Sequence, residues 1–362
     1  MQSDSPHLHF ISYPLGVPAQ YRVRHQVEQA QMAGLHAQAV SIYDVPAVYH
    51  LKGCDALYLY RTPLSSRTWP LCALARRKGI PIIFDSDDLV WDPEERRYNY
   101  LDDHYSPREV TQLLRVNART RSLMRMVDAF VFSTPYLAQR TASLFPQPAY
   151  VNQNTVSRAM QTQAEALYAA RRPPADRCVI GYFCGTPRVH DEDMATVADA
   201  LCAVLAQQPH VSLRFYGEVR LPERLAAPQY ARRVERRPAV AWSDLLYHVA
   251  QVDIAIAPLI DNPQRRAKSA VKYIEAALVG VPTVAARLEP YQEDIAHGAT
   301  GFLASSTNEW VTCLGQLARS PDLRRALGDA ARADVLARHT TEARASNFAA
   351  IITDVLTRAK RG

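Results

Sequence analysis

Short apolar runs alternate with longer helical patterns along almost the whole chain, and the series runs through twice. The first series opens with HLHFIS (7–12) and a helix near 19–33 that ends at Gly34. It continues through HAQAVSI, ALYLYR, a helix over 66–78 and the strand IPIIFD (80–85). After a polar, aromatic stretch (91–107), a helix over 108–126 leads to AFVFST, a helix over 135–144 and AYVNQN. Apolar runs of this length between helical segments predict parallel strands covered by helices on both faces. The segment 155–177 reads as a helix and then a breaker, ARRPPADR, where Pro173 and Pro174 bias their predecessors away from helix. The alternation restarts with CVIGYFCG, a helix over 191–207, VSLRFYG and a short strand near 232–236. A helix over 242–250, VDIAIAPL, a helix over 268–279 and VPTVAA follow, and the tail (306–358) is helical in pattern. The fold class is α/β, with two Rossmann-like domains joined near 170–177 and a cleft between them. A chain of 362 residues is long for one core and comfortable for two.

Composition narrows the setting. Hydrophobic residues make up 48% and charged residues 22%, the balance of an ordered globular protein. No apolar run approaches the roughly 20 residues that a spanning helix needs. The first residues, MQSDSPHLHFISYPLG, carry no secretory signal pattern. Six scattered cysteines without a CxxC pair suit buried, reduced thiols in the cytoplasm rather than disulfides or zinc. The formal charge of +6, from 42 Lys and Arg against 36 Asp and Glu, suits an anionic partner. No nucleic-acid-binding motif accompanies it, so a nucleotide or a membrane surface is expected and nucleic acid is not.

In open α/β sheets, ligands bind outside the carboxyl ends of the strands, and the residues just after those strands carry the candidate chemistry. The richest stretch is 252–286, where a buried strand ends at Pro258 and a helix is expected to start near Lys268. On such a helix Lys268, Lys272 and Glu275 share one face. Ser269, Ala270 and the first-turn amides would lie at the positive end of its dipole, a ready place for phosphate. A carboxylate one turn further suits vicinal sugar hydroxyls, so the segment reads as a nucleoside-diphosphate cradle. The plainer alternative is a surface helix with a Lys272–Glu275 ion pair, worth only about 0.2–0.5 kcal/mol.

Four further groups follow strands. In IGYFCGTPRVHDED (180–193), Gly185 and Thr186 would let backbone approach a diphosphate, with Arg188 and His190 as sources of positive charge. Asp191 reads as a helix cap or first-turn acid. Tyr216 and Gly217 end a strand, and Val240 with Trp242 would border a nucleobase unless these residues are simply core. In YPLGVPAQYRVRHQ, Gly16, Tyr21, Arg22 and Arg24 suit donor phosphates and acceptor, the alternative being a solvated first helix. In FDSDDLVWDPEE (84–95), Asp85, Asp87 and Asp88 suit an acceptor hydroxyl, a helix cap, or a metal held with a diphosphate. The stripe Arg108, Arg115, Arg119, Arg121 and Arg125 suits a solvated helix face, or an anionic membrane.

The stretch around Glu275-Ala276-Ala277 and Gly280-Val281-Pro282 resembles the donor-binding core of retaining GT-B glycosyltransferases, in particular glycosyltransferase family 4. The segment LEPYQEDIAHGATGFL (288–303) and the tail HTTEARASNFAAIITDVL resemble the same family, so that the resemblance spans roughly 178–358. It implies an N-terminal acceptor domain (1–170), a donor domain (171–340) and a closing helix (341–362) that crosses back. Glu275 matches the second glutamate of the family's Glu-x7-Glu motif, which binds donor ribose. The first falls at Ala267 and is missing, leaving a variant that reads K-S-x-x-K-x-x-E. The family's Gly-Arg and Lys-Gly positions read Thr186 and Glu192-Asp193. The implied activity is sugar transfer, with retention, from a UDP, GDP or dTDP donor to a glycan or lipid-linked acceptor, in surface polysaccharide or lipopolysaccharide assembly. No metal or other cofactor is implied. Lys268, Lys272, Asp87 and His190 are the expected catalytic groups; the expected setting is the cytoplasm, with a peripheral place on the inner membrane face as the alternative. The departures motivate a second reading, a nucleotide-binding scaffold without turnover.

Overall fold

The computed structural model describes residues 5–13, 19–44, 51–99, 101–171, 176–185 and 190–361. The chain forms two compact units. Unit 1 comprises Met1–Ser157, Asn262–Ser269 and His339–Gly362; unit 2 comprises Arg158–Asp261 and Ala270–Arg338. The main helices of the first stretch are α1 (His25–Met32), α2 (Thr68–Arg77), α3 (Pro107–Met124) and α4 (Pro135–Ala142). They are followed by α5 (Arg158–Ala170), α6 (Asp191–Gln207), α7 (Val271–Leu278), α8 (Thr307–Arg319), α9 (Pro321–Arg338) and α10 (Thr341–Ala359).

In unit 1, β1 (His7–Ser12), β2 (His36–Ser41), β3 (Ala56–Tyr60), β4 (Ile82–Ser86), β5 (Ala129–Phe132) and β6 (Ala149–Val151) form one sheet of order β2-β1-β3-β4-β5-β6. Every pairing is parallel. The strands β3 and β4 are buried at every position, as the continuous apolar runs ALYLY and IIF require. One face packs Leu57, Leu59, Phe84, Phe130 and Trp91. The other packs Phe10, Tyr58 and Val131 against Phe348 and Ile352 of α10. Local sequence sets the helix starts. Ser106 and Glu109 form a capping box around Pro107, and Thr134 caps α4 ahead of Pro135.

In unit 2, β7 (Cys178–Phe183), β8 (Val211–Tyr216), β9 (Val234–Arg237), β10 (Ile254–Ala257), β11 (Thr283–Ala286) and β12 (Phe302–Ala304) are again all parallel, in the order β12-β11-β10-β7-β8-β9. Counting from β7, the strands lie three, two, one, four, five, six. That order reverses between β7 and β10, and the carboxyl ends at such a reversal are where open α/β sheets receive ligands.

The expected helix over 268–279 is shorter than the sequence suggests. A single turn, Pro263–Arg266, is capped by Asn262, and α7 begins only at Val271. Between them Ala267 is fully buried in the apolar core of unit 1. The polar stretch 91–107 holds two short helices, Glu95–Tyr98 and Leu101–His104, that its lack of periodicity hides. On α3 the side chains of Arg108, Arg115 and Arg119 are exposed, while Arg121 donates to the Trp91 carbonyl at 2.7 Å. Among the described residues no helix is long and apolar enough to cross a membrane.

The first strand-to-helix passage carries a π-helical turn, Gln20–Arg24, that buries Tyr21, Arg22 and Val23 in succession. Arg22 meets Asp85 with Nε–Oδ1 at 2.9 Å and Nη2–Oδ2 at 2.5 Å, and both side chains are wholly shielded. Its Nη1 donates to the Asn152 carbonyl at 2.6 Å and to Asn154 Oδ1 at 3.2 Å. Tyr58 (2.6 Å) and Gln26 (3.0 Å) complete the carboxylate's shell. Burial disfavours the Arg22 charge, and Asp85 more than restores it. Removing one member of such a pair strands the other charge, at about 3–5 kcal/mol. Asp85→Ala is expected to lower the unfolding free energy measured by denaturant titration by that amount, and the double change Arg22→Met, Asp85→Leu by clearly less. An equal loss in both would contradict this assignment.

Candidate functional site

Unit 2 gathers polar groups at its strand ends, around the point where the order reverses. Phe183 closes β7, and Lys272, on the first turn of α7, donates its Nζ to the Phe183 carbonyl. The same ammonium lies 4.5 Å from the centre of the Tyr182 ring. Gly185 follows with open space where a side chain would stand. Beyond it, His190 is the N-cap residue of α6, and its Nδ1 is 2.7 Å from Asp193 Oδ2. The other Asp193 oxygen accepts from the Ile260 amide at 2.9 Å. Asp193 is completely buried and ties His190, at the start of α6, to Ile260 after β10. One turn into α7 stands Glu275, 9% exposed. Tyr291 lies near both Glu275 and Asp193, and burial, then the two carboxylates, hold its phenol neutral.

A second wall of unit 2 is aromatic. Tyr216, at the end of β8, stacks on Phe183 with centroids 4.6 Å apart and lies 5.2 Å from His248. Tyr216, Val240, Tyr247, His248, Arg214 and Arg237 line a pocket of about 520 Å³. Glu235 holds both arginines in place, with Arg214 Nε at 2.5 Å. His248 Nδ1 is buried there without a hydrogen-bond partner. Gly217 makes the approach possible. Its φ is +92°, and a Cβ at this position would lie 2.1 Å from the Cys184 carbonyl oxygen.

Unit 1 has its own strand-end cluster. Asp87 accepts from Tyr60 at 2.9 Å and from Arg61 Nε at 2.7 Å. Asp88 accepts from Lys268 Nζ at 2.8 Å and from Gln264 Nε2. Burial works against the Asp88 charge, but Lys268 and Arg61 hold its carboxyl below the usual range.

Residues 196–350 match the sequence model of a glycosyl transferase-like family. No curated protein matches the chain. Among solved structures, HepE from Anabaena in complex with UDP and glucose is 13% identical, with a TM-score of 0.62 over 96% of this chain and 100% of that one. A glycosyltransferase from Rickettsia africae is 13% identical, with a TM-score of 0.67 over 98% and 99%. Sucrose-phosphate synthase from Thermosynechococcus elongatus is 14% identical, with a TM-score of 0.64 over 98% and 100%.

This is the GT-B fold of glycosyltransferases.

Within it, the expected residues divide between the two GT-B units. Lys272, Glu275, Ala270, Gly185, His190, Tyr216, Gly217 and Val240 all belong to unit 2. Lys268 and Ser269 do not share the helix with them. They are members of unit 1, where Lys268 pairs with Asp88 and Ser269 Oγ accepts from Asn154 at 2.8 Å. Arg22 is corrected from a phosphate or acceptor contact to a buried anchor, because its guanidinium is consumed by Asp85, Asn152 and Asn154. Asp85 leaves the acceptor group for the same reason. Tyr21 is buried, edge-on to His25, while Arg24 is exposed. Gly16, Thr186 and Arg188 lie outside the described residues. Asp191 accepts from the Arg220 amide at 2.8 Å. The sequence reading missed Asp193 and Arg61. Only the offset of three residues between His190 and Asp193 hinted at the first.

Gly217→Ala should lower the melting temperature by an amount equivalent to roughly 2–4 kcal/mol, since left-handed strain and a backbone clash add together. An unchanged melting temperature would show that the Cys184–Gly217 approach is looser than described.

Proposed function

We propose that the protein transfers a sugar from a nucleotide donor held by unit 2 to a hydroxyl of an acceptor held by unit 1. The observation that carries this reading is the grouping of Lys272, Glu275 and the α7 amides beside the point where the strand order of unit 2 reverses. The diphosphate meets the positive end of α7 and Lys272, which offset the charge that gathers on the leaving group. Glu275 accepts from the ribose hydroxyls, as the family 4 resemblance implies. The base enters the pocket walled by Tyr216 and Val240. HepE, which shares the fold, was seen with UDP and glucose, and this supports a nucleotide donor here. His190 and Asp193 stand at the start of α6, beside the phosphates. On the acceptor side we place Asp87, Asp88 and Lys268. Retention at the anomeric carbon, a glycan or lipid-linked acceptor, and a role in surface polysaccharide assembly follow from the resemblance. Charge stabilisation is assigned to these side chains and amides, with no metal.

One observation favours a second reading. The position of the missing first glutamate, Ala267, is fully buried in the unit 1 core, so no acid reaches the transferred sugar from there. A scaffold that binds nucleotide without turnover fits that fact.

A thermal-shift series with UDP, GDP and dTDP separates the outcomes. One nucleotide should raise the wild-type melting temperature, and Glu275→Ala should weaken that nucleotide by about tenfold or more. No shift with any of the three would sink the donor site. A shift with no turnover of the matching nucleotide sugars on any glycan would leave the scaffold.

A further inference from the structure

Unit 1 contains a buried acceptor atom with nothing to accept from. Gln264 is 6% exposed, its Nε2 donates to Asp88 Oδ1, and its Oε1 has no hydrogen-bond partner. A buried orphan of this kind is costly unless a group absent from the free protein satisfies it. The surroundings are strained as well. Among the described residues Arg61, directly after β3, is the one non-glycine residue with a positive φ, at 44°. Such a conformation is uncommon outside glycine and persists where neighbouring contacts over-determine it. Those contacts are Asp87, 2.7 Å from Arg61 Nη2, and Asp88, at 3.3 Å. The side chains of Arg61 and Lys268 remain 26% and 27% exposed, so the cluster opens to solvent. It lies at the carboxyl ends of β3 and β4, next to the β1–β3 reversal in unit 1, where an α/β sheet receives ligands.

Charge decides the class of ligand. Arg61 and Lys268 are matched by Asp87 and Asp88, so an arriving phosphate would meet as much negative as positive charge. A hydroxyl suits the cluster better, because it donates one hydrogen bond and accepts two. Its proton satisfies Gln264 Oε1 while its oxygen accepts from Lys268 or Arg61, and a neighbouring hydroxyl donates to Asp88. We propose that Arg61, Asp88, Gln264 and Lys268 form a subsite for vicinal hydroxyls of a neutral sugar ring, the acceptor end of the reaction. This rests on the glycosyltransferase reading, and it adds Arg61 and Gln264 as residues that select the acceptor.

The test is saturation-transfer NMR on the full chain with glucose, galactose, mannose, rhamnose and N-acetylglucosamine, each alone. At least one sugar should bind the wild type. Arg61→Gly should bind it about tenfold more weakly while remaining folded, because the left-handed strain that glycine relieves offsets part of the loss of the two ion pairs. Gln264→Leu should lose the sugar as well while keeping its stability, because the orphan acceptor goes with the amide. Arg61→Lys, which keeps the charge without the fork, should fall between. No sugar bound by the wild type, or undiminished binding in both Arg61→Gly and Gln264→Leu, overturns the subsite. Displacement of the sugar by inorganic phosphate overturns it in favour of an anion site. UDP affinity is measured on the same samples. Sugar binding without UDP binding defeats the donor assignment and leaves the subsite standing, whereas UDP binding without sugar binding does the reverse.

Discussion

Parallel strands can be joined only by long crossovers that run over the faces of the sheet, so both faces are apolar and polar residues are driven to the strand ends. Both units of this protein obey that constraint, with every strand pairing parallel. It leaves few places for chemistry. In unit 2 the order turns between β7 and β10, and Lys272, Gly185, His190 and Asp193 are found around that turn. In unit 1 the residues after β3 and β4 form the Arg61–Asp87–Asp88 cluster.

The same strand end serves stability and recognition, and burial separates the two. Asp85 and Asp87 are two residues apart, so a strand would send both side chains to one side. Asp85 is still within β4 and is sealed beneath Arg22, Tyr58 and Gln26. Asp87 lies just past the strand, where Arg61 reaches it from the neighbouring strand end and solvent remains close. A buried ion pair contributes little net stability relative to apolar packing, but it is expensive to break, which fits a device that fixes one geometry. Here it fixes the first passage of the chain beside the strand ends of unit 1.

The sequence made the alternation of elements legible, because continuous runs such as ALYLY and IIF have few alternatives between turn signals. The strands at 7–12 and 178–183 and the helix at 191–207 lie where periodicity puts them. The site was only partly legible. Lys268, Lys272 and Glu275 have helical spacing, but spacing cannot show that Asn262 caps a separate turn or that Ala267 packs in another unit's core. Arg22 read as a phosphate or acceptor contact, or else a solvated helix residue, because nothing local announces a partner sixty-odd positions away; the hydrogen bond to Asp85 spans 63 residues. Arg61 was invisible for a different reason. Its significance lies in a backbone angle and a long-range network, and neither leaves a mark in composition or pattern.

The central claim is that a nucleoside diphosphate binds at the strand ends of unit 2, and crystals grown with UDP would test it most directly. The account predicts diphosphate density at the first turn of α7 near Lys272, ribose hydroxyls on Glu275 and the base against Tyr216 and Val240. UDP bound elsewhere on the chain, with Glu275 untouched, would contradict it.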